Sequence, residues 1–296
     1  MIASREASRA RFAAEGHGIP HAAGSYQACV ESDQVDGIYV ALPPSLHHQW
    51  TMAAIAAGKH VLCEKPIATS AEQTRAMYAA ADAAGVRLLD ATGWPHHPRS
   101  AMFADWIASG RLGQLRHIST AVSFYEPFQS DEHRLDAERG GGCLLDLGWY
   151  AFGLAIAAAG RFERVASTTI RRSGVPMRVA AVGELAGGVQ ATISCGYDTA
   201  SRKWMEIAGD EASLICDDFT RPWPDRPVRC WVHRRDGSVE SETFDDPDGH
   251  IQERRMIAAW IDPEVDLTPH RQRSLATAAV IDAVASNADG WVSVND

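Results

Sequence analysis

Lys59-His-Val-Leu-Cys63 is a short apolar run closed by Glu64-Lys65-Pro66, and the same grammar recurs on either side of it. Upstream, Asp36-Gly-Ile-Tyr-Val-Ala-Leu42 ends at Pro43-Pro44; downstream stands Val86-Arg-Leu-Leu-Asp90. Apolar runs of this length bounded by turn residues predict buried strands. Between them the sequence predicts a helix from about His47 to Ala57, stopped at Gly58 because glycine suits the left-handed position that ends helices. A second helix starts at the overlapping capping boxes of Thr69/Ser70 with Glu72/Gln73 and ends at Gly85. Strands separated by single helices pair in parallel through right-handed crossovers, and ligands of such doubly wound sheets sit at the strands' carboxyl ends. Leu42-Pro43, Glu64-Lys65 and Trp94 therefore belong to one rim.

Farther along, a helix is expected near Ala101 to Ser109, and then longer β-like runs joined by turns at Gly187-Gly188, Gly209-Asp210 and Asp236-Gly237. Those runs predict an antiparallel meander. A helix from about Cys143 to Ala159 interrupts it, with Asp146 and Tyr150 four residues apart on one face. The last helix, about Arg271 to Ser286, carries an apolar stripe of Ala276, Ala279, Val280, Ala283 and Val284. The expected fold is α/β followed by α+β: a Rossmann-like domain over 1–95, a substrate and oligomerisation domain over 96–268, and a helix and strand over 269–296 that pack back on the first domain.

The bulk composition narrows the partners. A chain of 296 residues, 46% hydrophobic, has enough apolar material for a large core divided between two domains. A net charge of −10 with scattered Lys and Arg opposes nucleic-acid binding. Six cysteines without C-x-x-C spacing read as thiols in a reducing cytoplasm, and no apolar run suggests a membrane span or a signal peptide.

Three stretches together carry a family resemblance: Ile38-Tyr-Val-Ala-Leu-Pro-Pro-Ser-Leu-His47, Ala57-Gly-Lys-His-Val-Leu-Cys-Glu-Lys-Pro66, and Gly140-Gly-Gly-Cys-Leu-Leu-Asp-Leu-Gly-Trp-Tyr150. In their strand and helix context they resemble the Gfo/Idh/MocA oxidoreductases, over nearly the whole chain. The resemblance implies a Rossmann domain joined to a domain with an open antiparallel sheet, through which a homodimer or homotetramer forms. It also implies hydride transfer between nicotinamide and a sugar, nucleotide sugar or vicinal diol. Tyr150 stands where many members have His, as in branches similar to glucose-fructose oxidoreductase, dihydrodiol and xylose dehydrogenases and nucleotide-hexose 3-ketoreductases. Arg134 and the Phe219-Thr-Arg-Pro-Trp223 loop are similar to that group; Pro95 departs from the family pattern, where Arg is common.

Reducing a ketone leaves an alkoxide that must gain a proton, and a Tyr hydroxyl with a pKa of about 10 is a poor donor unless a cation lowers it. Lys65 is the candidate cation. By the resemblance it contacts the nicotinamide ribose and the substrate oxygen, while Asp146 orients the proton path to Tyr150. Cofactor contacts are expected from Leu42, Pro43, His47, Glu64 and Lys65 on the rim and from Ser4 and Arg5 where the second Rossmann strand ends. An acid at that place selects NAD and an Arg accommodates a 2′-phosphate, so NADP is favoured over NAD; alternatively Arg5 and Arg9 form the solvated face of a helix reaching about Glu15. His47 either approaches the nicotinamide or caps and packs its helix. Trp94 and Trp223 are either an aromatic wall for a sugar face or core tryptophans. His96, with His97 and Arg99, either binds substrate hydroxyls or belongs to a polar loop, and no third ligand makes a metal site of them.

In the Rossmann pattern the ribose-reading residue follows the glycine-rich turn by about twenty residues, so this sequence begins roughly 25 to 30 residues into the pattern. The expectation is a truncated sheet lacking its first strand, phosphate-binding turn and first helix, through a misassigned start, gene decay or abandoned catalysis, the first being favoured. Because the first strand is central in the order 3-2-1-4-5-6, its neighbours should show unpaired edges across an apolar gap, without the backbone donors for a pyrophosphate. Two functions follow: an NAD(P)-dependent oxidoreductase of sugars or polyols, or a catalytically impaired binding or assembly protein. The retained Lys65, Asp146 and Tyr150 favour the first.

Overall fold

A computed structural model describes residues 1–125, 127–129, 132–223, 227–246, 249–286 and 290–294 of the chain. It begins with two small parallel sheets. In the first, β1 (Ile2–Ala3) pairs with β2 (Ala22–Ala23), with α1 (Ala7–His17) as the crossover and α2 (Tyr26–Val30) after it. In the second, β3 (Gly37–Val40), β4 (His60–Cys63) and β5 (Leu88–Asp90) lie side by side, linked by α3 (Pro44–Ala56) and α4 (Ala71–Ala84). The predicted punctuation does what its chemistry suggests. Ser70 Oγ accepts the Gln73 N–H at 3.2 Å to start α4, and Gly85 ends it at φ +66°. Helix α3 starts three residues before the expected His47, because Pro44 at its first position has no N–H to lose there.

The two sheets share no ladder. Between β1 and β3 lies an apolar cleft of about 580 Å³, lined by Ile2, Tyr26, Val30, Ile38, Val40 and Trp50.

After α5 (Pro98–Ala108) comes β6 (Leu115–Tyr125), then α6 (Trp149–Ala159), which a π-helical turn over Leu144–Gly148 leads into. The hairpin strands β7 (Phe162–Arg172) and β8 (Val175–Leu185) follow, then β9 (Val189–Gly196), β10 (Asp198–Gly209), β11 (Ala212–Cys216), β12 (Val228–Arg234) and β13 (Val239–Phe244). Two helices come next, α7 (Ile251–Ile261), which the sequence reading did not foresee, and α8 (Thr268–Ser286); β14 (Val292–Ser293) closes the order. All the later strands join one nine-stranded sheet in the order β13-β12-β11-β10-β6-β9-β8-β7-β14. The expected meander is corrected at one place: β6 and β9 pair in parallel. The chain spends α6 and the β7–β8 hairpin between them, so β9 enters beside β6 running the same way.

One face of this sheet, including Ile118, Val122, Val179, Ile193 and Met205, is buried with α6 and α8 in the main core. On the other face Ile170 and Val182 are exposed. Helix α8 ties the two parts together. Its Ser274 hydroxyl donates to Asp90 at the end of β5 (2.7 Å), and its Asp282 accepts the first N–H of α4 (2.8 Å). Strand β14 pairs instead with β7, at the edge of the larger sheet. One helical run, Ala137–Ala159, is long and apolar enough to cross a bilayer by length and composition, which the sequence reading did not register; 72% of its apolar window is buried in the protein, as a core helix requires.

Candidate active site

A cavity of about 310 Å³ opens where the carboxyl ends of β3 and β4 meet the helical segment before α6. Three elements bring the charged groups together. Lys65 follows β4 by two residues, Asp146 sits in the π-helical turn, and Tyr150 lies in the first turn of α6. The Lys65 ammonium donates to Asp146 Oδ1 and to the Asp146 carbonyl (3.1 Å), and it stands 4.7 Å from the centre of the Tyr150 ring. Asp146 Oδ2 accepts from Arg134 Nε (2.9 Å) and from the Tyr197 hydroxyl (2.9 Å). Arg134 also pairs with Glu132 at 3.2 Å. The sequence residues Lys65, Asp146, Tyr150, Arg134, Glu64 and Leu42 thus gather in and around one cavity.

Tyr197 escaped the sequence reading. It follows β9 and is buried, with the Phe124 and Phe128 rings 5.3 and 5.0 Å from its own. A lone Tyr at a strand end has no motif; the packing of β9 against the π-helical turn carries it to Asp146. Tyr39 is a second addition: its hydroxyl donates to Glu64.

The glycine run holds the Arg134 segment by its backbone. Gly141 N–H donates to the Asp136 carbonyl (2.8 Å) and Gly142 N–H to that of Arg134 (2.9 Å). A Cβ on Gly141 would stand 2.7 Å from the carbonyl oxygens of His133, Arg134 and Asp136, and Gly142 adopts φ +113°. Only glycine meets both demands.

The protonation states follow from burial and pairing. Burial opposes a charge on Lys65, but Asp146 more than compensates and keeps the ammonium above its usual range. Burial likewise pushes the Asp146 carboxyl up, and Lys65 followed by Arg134 pulls it well below the usual carboxylate range. For Tyr150 the balance differs: burial raises the hydroxyl, and Lys65 offsets this only in part. The expectation that Lys65 brings Tyr150 below its ordinary pKa is corrected, because desolvating a phenolate outweighs an ammonium already matched by Asp146. Burial therefore leaves the Tyr150 hydroxyl a weaker acid than an exposed phenol; it holds its proton at neutral pH and gives it up only to a stronger base such as a developing alkoxide.

The remaining predicted residues lie elsewhere. His47 is buried, its ring nitrogens 2.8 Å from the Pro66 carbonyl and 2.6 Å from that of Leu42, so it braces the rim from behind. Burial lowers its pKa, and the neutral ring donates to one of these carbonyls only. Pro43 caps α3, and Pro44 rather than Pro43 lines the cavity. Ser4 and the exposed Arg5 follow β1 at the far side of the apolar cleft. Trp94 is not a wall of this cavity: it is buried against Phe219, ring centres 6.0 Å apart. His96 stacks on His270 (4.5 Å), and burial lowers their pKa values to about 3 and about 4. Trp223 is half-buried under the Lys203 ammonium, 3.8 Å from its ring centre, and does not line the cavity.

A dinucleotide's nicotinamide end fits the residues present. Lys65 and Glu64 offer a cation and an acceptor at the strand ends, beside the apolar Leu42 and Pro44. Across the apolar cleft, Arg5 is an exposed cation two residues after β1.

Comparison with known proteins gives the family. The family described as "Oxidoreductase family, NAD-binding Rossmann fold" matches residues 1–91, and the "GFO/IDH/MocA C-terminal domain" matches residues 101–215. D-xylose 1-dehydrogenase (NADP(+)) 2 of Haloferax volcanii is 33% identical over 99% of this chain and 90% of its own length. The dTDP-3,4-didehydro-2,6-dideoxy-alpha-D-glucose 3-reductase of Actinomadura kijaniata is 34% identical over 97% of this chain and 86% of its own. The crystal structure of KijD10, a 3-ketoreductase from the same organism in complex with NADP and TDP-benzene, superposes with a TM-score of 0.85 at 29% identity, covering 95% of this chain and 87% of that one. With both of its halves matched and a relative aligned along almost its whole length, the chain belongs to the Gfo/Idh/MocA oxidoreductase family.

Proposed function

We propose that the chain is an NADP-preferring dehydrogenase or reductase of a sugar or related polyol, with Lys65, Asp146 and Tyr150 as its catalytic group. One observation carries the residue roles: a protonated Lys65 is clamped by Asp146 directly beside the Tyr150 ring, at the carboxyl ends of a parallel sheet. Bound nicotinamide supplies or accepts the hydride. Tyr150 donates the proton to the carbonyl oxygen during reduction and takes it back during oxidation. Lys65 stabilises the charge that develops on that oxygen, and Asp146 keeps Lys65 charged and fixed. Leu42, Glu64 and Pro44 hold the nicotinamide end, and Ser4 with Arg5 the adenosine ribose. Relatives that act on xylose and on dTDP-linked ketosugars support the substrate class.

The deciding experiment titrates the purified chain with NADPH and NADH, following tryptophan emission and energy transfer to the nicotinamide, and then measures turnover on a panel of sugars and polyols. Wild-type turnover retained by both Lys65→Met and Tyr150→Phe would refute the roles given. The division at 1–95, 96–268 and 269–296 is part of the same proposal. So is a homodimer or homotetramer through the exposed sheet face bearing Ile170 and Val182, which a strictly monomeric mass in light scattering would rule out. Free thiols at all six cysteines support a cytoplasmic location.

A further inference from the structure

We infer that the cavity beside Lys65 takes an uncharged polyol of monosaccharide size and does not recognise a nucleotide-linked sugar. This rests on the oxidoreductase reading above and narrows it. The first support is the charge census of the rim. Among the described residues, Lys65 faces Asp146, Arg134 is shared by Asp146 and Glu132, His133 faces Glu132 at 2.6 Å, and Arg139 pairs with Asp136 at 3.2 Å. Glu64 adds a further carboxylate, engaged by the Tyr39 hydroxyl. A diphosphate is held by unmatched guanidinium or ammonium groups. Here it would have to displace carboxylates from cations whose best pair, Lys65 and Asp146, is only 14% exposed on each side.

The second support is the backbone. The N-terminus of α3 borders the cavity, where helix amides ordinarily attract phosphate. Its Ncap and first residue, Pro43 and Pro44, have no N–H to offer and the Leu46 N–H goes to the Pro43 carbonyl (2.9 Å), so this turn has fewer amides to give than an ordinary helix start. The third is size. At 310 Å³ the cavity lies at the small end of the about 300–1,000 Å³ usual for ligand pockets, and a nicotinamide would share it. What the lining does offer is an alternation of acceptors (Glu64, Asp146) and donors (Arg134, Lys65), the pattern that hydroxyl groups satisfy.

The test is calorimetry on the full chain with saturating NADP, using D-glucose, D-xylose and myo-inositol as neutral probes and dTDP-glucose and dTDP as anionic ones. The expected result is saturable binding of at least one neutral probe and no tighter binding of dTDP-glucose than of glucose. Glu132→Gln, which removes the carboxylate from Arg134 and His133, should strengthen dTDP-glucose binding by about tenfold. Wild-type affinity for dTDP-glucose tenfold or more above that for glucose would overturn the inference. So would binding of no neutral probe by a chain that binds NADP. Failure of the oxidoreductase reading looks different: neither nicotinamide cofactor binds at all.

Discussion

Replacing Asp146 by Asn keeps the shape and one acceptor but removes the charge that holds Lys65 and Arg134. Asp146 and Lys65 are each 14% exposed, so the variant leaves an enclosed ammonium without a counter-charge. Breaking one side of a buried ion pair costs about 3–5 kcal/mol. The Asn oxygen still accepts a neutral hydrogen bond, which places this substitution near the lower figure. At about 2–3 °C per kcal/mol for a chain of this size, the melting temperature should fall by roughly 6–9 °C near neutral pH. The pH dependence has a definite sign. Asp146 in the folded protein lies below its unfolded value of about 3.9, so its contribution is complete above that pH and is lost as pH falls through the folded value. The gap between wild type and variant should therefore hold between about pH 5 and 8 and narrow below about pH 4. Thermal unfolding followed by far-UV circular dichroism across that series decides it. A neutral-pH difference under 2 °C, or one equally large at about pH 3, would refute the reasoning.

Other outcomes follow from the same geometry. Tyr150→Phe should lower kcat by about 10²–10⁴-fold with little change in KM, because only the proton donor is lost, as nicotinamide absorbance would record. Tyr197→Phe removes one of two donors to Asp146 Oδ2 and should cost about 1–3 kcal/mol in urea unfolding; an unchanged midpoint would mean that Arg134 alone holds that oxygen. Gly141→Ala forces a Cβ against three carbonyls of the Arg134 segment, so KM should rise more than kcat falls. For His96 and His270, held at about 3 and about 4, the unfolded chain binds protons first. Stability should fall as pH drops from about 6.5 towards 4, and a His270→Phe variant should flatten that slope.

The parallel sheet was legible in the sequence because its signals are local. Capping at Ser70, the stop at Gly85 and three short apolar runs each depend on residues within a few positions, and each specifies an element by itself. Lys65, Asp146 and Tyr150 were found through the stretches that carry the family resemblance. The π-helical turn under Asp146, helix α7 and the parallel β6–β9 pair were not legible, since each depends on what packs against it. Trp94 and His96 show the limit most clearly. Their place after the third strand brought them near the expected site, yet the loop holding Phe219 drew Trp94 into the core and the helix holding His270 stacked on His96.

The sequence by itself determined the alternation of strands and helices in the parallel part, because that depends on spacing and residue type along the chain, and its family resemblance pointed to Lys65, Asp146 and Tyr150. Only the tertiary structure decided that burial outweighs Lys65 at the Tyr150 hydroxyl, that Tyr197 and Arg134 share one oxygen of Asp146, and that the rim's cations are already matched by carboxylates. Each of these is a balance of desolvation against pairing. Such a balance is set by distances between residues that lie far apart in the chain, from Lys65 to Asp146 and from Asp146 to Tyr197, and it has no value until the fold brings them together.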